Sequence, residues 1–131
     1  MTRRQQRENV FKLLFRIEFN DSHEMPDQVQ LFFEDFEKLQ KRDKDEIEAK
    51  YDKIVAKLED IDAIINEVST GWKTSRMSKV DLTIIRLAVY EIKFDEDVPA
   101  SVAINEAVEI SKVFGGDDSP SFINGILAKV V

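Results

Sequence analysis

Every strong hydrophobic periodicity in this chain has the period of an α-helix, and nothing alternates with period two for long enough to make a strand. The longest apolar stripe runs through Ile47, Tyr51, Ile54, Val55, Leu58, Ile61, Ile65, Val68 and Trp72. It is too long for one ordinary helix. A break is expected near Asp60 to Asp62, because aspartates compete with the helix for backbone hydrogen bonds. Ahead of it, Val29, Phe32, Phe33, Phe36 and Leu39 recur at helical spacing after Pro26, which suits a first helical position. Asp43 and Glu46 have the spacing of a capping box and predict a helix start there; Ser78 and Asp81 repeat the pattern before Leu82, Ile85, Leu87, Ala88, Val89 and Ile92. Pro99 opens the next helix and Gly115-Gly116 close it. Ser119 reads as a cap with Pro120 as the first helical residue, followed by Phe122, Ile123, Ile126, Leu127 and Val130. The expectation is an all-α chain of six or seven helices, one domain over residues 1–131, without linker or repeat.

Several kinds of chemistry are excluded at the outset. With no cysteine there is no disulfide framework, thiolate nucleophile or cysteine-based metal site. The single histidine, His23, falls in a polar turn with no second histidine or cysteine to share a zinc ion, and reads as a surface residue. No apolar run reaches the roughly 18 residues that span a bilayer, and the N-terminus lacks a hydrophobic signal core. A cytoplasmic, membrane-free location is therefore expected. Gly115-Gly116 has no following lysine and is not a phosphate loop. No constellation for covalent or acid–base catalysis occurs, so no catalytic residue, metal or cofactor is expected.

The first helix carries the most informative anomaly. Val10, Phe11, Leu14 and Phe15 define its apolar stripe, and at about 100° per residue Arg3, Arg4 and Arg7 fall on the same stripe one to two turns earlier. Gln5, Glu8, Asn9, Lys12 and Arg16 take the solvated side. A basic residue placed without purpose belongs on that polar side. Residues 1–16 hold five basic side chains against Glu8, in a chain whose net charge is −7. An acidic protein is repelled by phosphate backbones, so any nucleic-acid binding must be local to this basic end. A frayed, solvated terminus, or docking of this end on another copy of the chain, would also accommodate these arginines.

Other residues have a structural and a functional reading side by side. Trp72, Lys73 and Arg76 combine an aromatic with bases, as RNA-clamping surfaces do, but a tryptophan closing a long helix is expected in the core. Arg86 sits within an apolar helix, where an ion pair with an acid such as Glu106 or Glu109 is expected. Gly125 lies mid-helix, where close approach of another helix or of a ligand's backbone would justify it, and helix packing is the expectation. Asp118 stands where an N-terminal cap would stand.

From Val80 onward the sequence resembles the NusB family. Val80-Asp81, Ile85-Arg86-Leu87-Ala88 and Tyr90-Glu91 match one block of the family. Asp97-Val98-Pro99 with Val102 to Glu109 matches the next, and Phe114-Gly115, Asp118-Ser119 and Phe122 to Leu127 the last. Trp72 and Arg76 fit a pattern seen in many members, and Arg3-Arg4 with Arg7-Glu8 resemble the arginine-rich N-terminal motif; residues 20–65 match loosely. The resemblance implies two packed helical bundles and a bacterial antitermination factor without enzymatic activity. It implies pairing with NusE, a small-subunit ribosomal protein, and binding of single-stranded boxA RNA in nascent ribosomal RNA transcripts. The wider partner would be the RNA polymerase antitermination complex with other Nus factors. Arg3, Arg4, Arg7, Phe122 and Asp118 would touch RNA; Asp81, Asp118 and Phe15 would touch NusE. How Asp81, Asp118 and Phe122 divide between the two partners stays open. Some members carry a basic residue where this chain has Ser121. Family members differ in being monomers or homodimers, so a homodimer is a further possibility. The alternative identity is the NusB-like domain of a ribosomal RNA cytosine methyltransferase.

Overall fold

The computed structural model describes residues 1–131 as seven α-helices without a strand. The helices are α1 (Arg3–Phe15), α2 (Met25–Glu34), α3 (Lys41–Ala56), α4 (Leu58–Val68), α5 (Lys79–Phe94), α6 (Ala100–Phe114) and α7 (Ser119–Val130). Short 3₁₀ turns lie at Arg16–Glu18 and Thr74–Arg76. The chain divides into two compact units, Met1–Lys53 and Ile54–Val131.

In the first unit, Thr2 caps α1 through a complete capping box. Its hydroxyl accepts from the Gln5 N–H at 3.1 Å, and the Gln5 side chain accepts from the Thr2 N–H at 2.9 Å. Val10, Phe11, Leu13 and Leu14 of α1 are buried, as are Met25, Phe32 and Phe33 of α2. Arg16, expected on the solvated side, is instead half-buried. Its guanidinium donates to both the main-chain and side-chain oxygens of Gln28 at 3.1 Å and lies 5.3 Å from the Phe32 ring centre. A long aliphatic stem lets arginine cover apolar surface while its fork finds acceptors.

The capping-box expectation at Asp43 is corrected. Helix α3 begins two residues earlier, at Lys41, and Asp43 lies inside its first turn. The Asp43 carboxylate is occupied by partners from α1's start: the Met1 ammonium at 3.3 Å and the Gln6 amide at 2.8 Å. Gln6 also donates to Glu46 at 2.8 Å. The break in the long apolar stripe falls at Lys57, before the aspartates. There the Lys57 N–H turns back to the Ile54 carbonyl at 3.0 Å, and α4 starts with Glu59 and Asp60 in its first turn, where acids complement the helix dipole.

In the second unit, α5 packs against α4, α6 and α7, and nine of its residues are buried. Ile61 and Ile65 of α4, Ala103, Ala107 and Ile110 of α6, and Ile123, Leu127 and Val130 of α7 are buried with them. Arg86 does form an ion pair, with an acid not anticipated. Its Nε and Nη2 donate to the two oxygens of Asp62 on α4 at 2.9 and 2.8 Å, a planar fork on a planar carboxylate. The corner from α6 to α7 needs Gly115, whose absent Cβ would lie 2.6 Å from Ser119 Cβ and Oγ. Ser119 is the first helical residue and not the cap; its buried hydroxyl accepts from the Gly116 N–H at 3.0 Å. Close packing does not explain Gly125, since a Cβ there would meet nothing within 4 Å.

Candidate nucleic-acid interface

The basic end of the first unit is built on the first turn of α1. Arg3 and Arg4 are exposed and Arg7 is half-buried. The first turn of α1 contains no acid. That is the reverse of what local stability favours, since the N-terminal end of a helix is the positive pole of its dipole. The arginines therefore add charge where backbone N–H groups already make the helix end attractive to an anion. Arg4 and Arg7 also interact within the chain. A guanidinium carries five N–H donors, so an internal partner leaves others for a phosphate. The capping box and the contacts of Met1 and Gln6 with Asp43 fix the direction in which this helix begins.

Phe15, at the other end of α1, is half-buried and stacks with Phe11 at 6.0 Å between ring centres. It meets Phe19 edge-on at 5.1 Å, and Phe19 is 60% exposed. An aromatic surface of this kind suits a protein partner better than a polyanion.

The second unit holds an aromatic pocket of about 460 Å³, lined by residues that include Trp72, Arg76, Asp81, Asp118 and Phe122. Its construction is local. Helix α4 stops at Val68; the Ser69 hydroxyl donates to the Ile65 carbonyl at 2.6 Å, and Gly71 takes φ = 83°, a left-handed turn that other residues resist. The Thr74 N–H donates to the Asn66 side-chain oxygen at 2.8 Å, which ties the following 3₁₀ turn back to α4. These bonds hold Trp72 outward. It is 52% exposed, so the expectation of a core tryptophan is overturned. Helix α4 ends at Val68, about one turn short of Trp72, and the left-handed Gly71 just before the indole turns the chain away from the core. The indole meets Phe122 edge-on at 6.1 Å and 75°, and the Arg76 guanidinium lies 5.8 Å from its centre.

Three carboxylates, Asp81, Asp117 and Asp118, complete the pocket. Asp81 is half-buried near the start of α5, where Ser78 caps the helix by accepting from the Asp81 N–H at 3.1 Å. One Asp81 oxygen, Oδ1, is buried without any hydrogen-bond donor. Such a group ordinarily costs about 1–3 kcal/mol. Asp118 occupies the cap position of α7 but makes no side-chain capping bond, and it is exposed. Its carboxylate is thus not spent on the helix.

Of the residues singled out from sequence, the structure gathers Trp72, Arg76, Asp81, Asp118 and Phe122 around one pocket. Arg3, Arg4, Arg7 and Phe15 belong to the other unit. Lys73 is exposed and is not among the pocket's lining residues, and His23 is exposed in its turn. Sequence reasoning missed the anchoring of the first helix by Met1 and Gln6, although Thr2-Arg3-Arg4-Gln5 has the spacing of a capping box. It also missed Met77 and Asp117 as lining residues, for which no sequence signal existed. No helix is long and apolar enough to cross a membrane.

The sequence pattern of the NusB family matches residues 4–131. The transcription antitermination protein NusB of Agathobacter rectalis is 52% identical over 129 residues, covering 98% of each chain. That of Lachnoclostridium phytofermentans is 50% identical and covers 100% of this chain and 99% of its own. Among solved structures, T. maritima NusB superimposes with a TM-score of 0.87 at 36% identity, covering 99% of this chain and 90% of that one. A crystal structure of the antitermination factors NusB and NusE in complex with dsRNA has the same fold, with a TM-score of 0.81 at 22% identity over 99% of this chain and 97% of that one.

Proposed function

The chain belongs to the NusB family of transcription antitermination proteins, and from that premise we propose that it pairs with NusE to bind the single-stranded boxA element of nascent ribosomal RNA. In this reading it is a non-enzymatic adaptor that works within the antitermination complex on RNA polymerase. The observation that carries the proposal is the acid-free, arginine-bearing first turn of α1, with Arg3 and Arg4 exposed. Guanidinium groups suit phosphate because they stay charged and donate in a fixed fork. Phe122 offers a flat face for an unstacked base, and the uncommitted Asp118 carboxylate can accept from a base edge while repelling phosphate. Asp81, Asp118 and Phe15 are the residues assigned to NusE, with Asp118 shared between the two partners.

The net charge of −7 gives NusE its role. A surface on which acids outnumber bases beyond one helix end binds a polyanion weakly by itself, and a basic partner would supply the rest. The methyltransferase-domain reading gains nothing from the relatives, which carry the antitermination name over nearly their whole length.

The test is the salt dependence of boxA binding, with NusE present, for the wild type and for the combined Arg3→Ala, Arg4→Ala and Arg7→Ala variant. Each lost phosphate contact on single-stranded RNA lowers the logarithmic slope by about 0.7, so the triple variant should lose up to about 2. Thr2 and Gln5 still cap the helix in that variant, so a folding defect is not expected. An unchanged slope would overturn the assignment. Duplex RNA of the same sequence, run in parallel, should bind less tightly, because its bases are not available to Phe122.

A further inference from the structure

The first unit holds a cleft of about 540 Å³ between the end of α2 and the first turns of α3. Val29, Phe33, Phe36 and Leu39 give it apolar surface, and Glu34, Glu37 and Glu48 line it with acid. We propose that this cleft docks a basic segment of a partner protein, whose arginine stacks on Phe36 and donates to the carboxylates of Glu37 and Glu48. Arg3, Arg4, Arg7 and Phe15 are not among the lining residues, so the proposal stands apart from the RNA-binding reading.

Charge and aromatic surface select this occupant together. Helix α2 ends in Glu34 with Asp35 behind it, and its last turn holds no base. That is the reverse of what the negative pole of a helix favours, so a cation brought from outside is attracted by the pole and by the acids alike. Glu34 accepts from Gln30 at 3.1 Å, whereas Glu37 and Glu48 have no hydrogen-bond or ion-pair partner in the chain. The rings beside them already hold cations. Phe32 meets Phe33 and Phe36 edge-on at 5.2 and 5.6 Å. The Arg16 guanidinium lies 5.3 Å from the Phe32 centre, and the Lys44 ammonium 5.6 Å from that of Phe33. Phe36 is half-buried at the cleft and carries no such cation. A guanidinium suits it better than an ammonium, being planar for stacking, forked for carboxylates and more weakly hydrated. Phosphate is repelled, because three acids line the cleft against Lys44 as its one base. The acids do not converge as metal ligands do. A wholly apolar ligand would desolvate two unpaired carboxylates. Val29 and Leu39, both half-buried, leave apolar surface for the arginine's stem and an aliphatic neighbour, which calls for a stretch of chain and not a small cation.

The test is fluorescence anisotropy of short labelled peptides with the full chain, at physiological ionic strength, where long-range attraction to an acidic protein is screened. One peptide places a single arginine between leucines; the other has lysine there and so the same charge. The arginine peptide should bind about fivefold more tightly, because only the guanidinium stacks and forks at once. Glu37→Gln combined with Glu48→Gln should weaken it about tenfold and bring the two peptides together. Phe36→Leu, which keeps the apolar bulk, should weaken it about threefold. Lys44→Gln should tighten both peptides about twofold by removing a competing cation. Circular dichroism of each variant should match the wild type, since Glu37, Glu48 and Lys44 are exposed or half-buried. Equal affinity of the two peptides would overturn the proposal by reducing it to bulk charge. So would unchanged affinity in the double glutamine variant, or no binding to the wild type. Displacement of the peptide by an equal concentration of spermidine would assign the cleft to a free polyamine instead. The combined Arg3→Ala, Arg4→Ala and Arg7→Ala variant should bind the peptide no more weakly than the wild type, so this proposal and the RNA-binding reading fail separately.

Discussion

At the scale of single residues, the polar groups of the second unit separate into those already satisfied and those held ready. Arg86 and Asp62 are satisfied: both forks are filled, with the side chains 13% and 27% exposed. Removing Asp62 takes the bidentate acceptor from a guanidinium that stays largely out of water. Asp62→Ala should cost about 1–3 kcal/mol in urea unfolding, since the pair is not fully buried. Asp62→Ala combined with Arg86→Met should recover part of that loss by removing the cation that has lost its bidentate acceptor. A single-variant cost no larger than that of an exposed pair would mean that solvent already screens the interaction. Asp81 and Asp118 differ in kind. Neither is paired in the pocket's interior or committed to capping, and structure not spent on stability is where function is expected.

At the scale of helices and their ends, the start of α1 and the start of α3 form one latch. The Gln6 amide holds the Asp43 carboxyl below its ordinary value of 3.8, against burial, with help from the Met1 ammonium. The Arg42 guanidinium and then Gln6 hold Glu46 below its ordinary 4.5. A carboxylate whose folded pKa is depressed stabilises the fold above its unfolded pKa and stops doing so as acid protonates it in the native state. Thermal stability should therefore be level above about pH 5 and fall as pH drops through 4.5 and 3.8 and below. Asp43→Asn should start lower at neutral pH and fall less steeply, as followed by melting curves across pH. Two glycines make opposite predictions. Gly115→Ala places a Cβ 2.6 Å from Ser119 atoms and 2.9 Å from the Ser111 carbonyl, and should destabilise by about 1–3 kcal/mol. Gly125→Ala meets no neighbour, and should stabilise α7 by about 1 kcal/mol. If RNA binding weakens in that more stable variant, close approach of the ligand is the reason for the glycine.

At the scale of the whole molecule, charge distribution decides behaviour more than charge total. A protein of net charge −7 should show weak RNA binding alone, with a shallow salt dependence, because few phosphates are neutralised. With NusE it should bind more tightly over the same salt range, because more phosphates are neutralised; anisotropy titrations at two or three salt concentrations with and without NusE check this. Tight binding by the isolated chain at physiological salt would show that the acidic remainder does not oppose the RNA.

Sequence alone was sufficient for the all-α class, for most helix positions and for the anomaly of Arg3, Arg4 and Arg7, because those rest on periodicity and on charge along a single helix. Each is a property of residues three or four apart. The outward turn of Trp72, the partner of Arg86, the unspent carboxylate of Asp118 and the donor shortage of Asp81 were decided by tertiary structure. Each depends on what a side chain meets from a distant part of the chain, or on backbone angles at Gly71 and Asp118, and hydrophobic patterning carries no record of either.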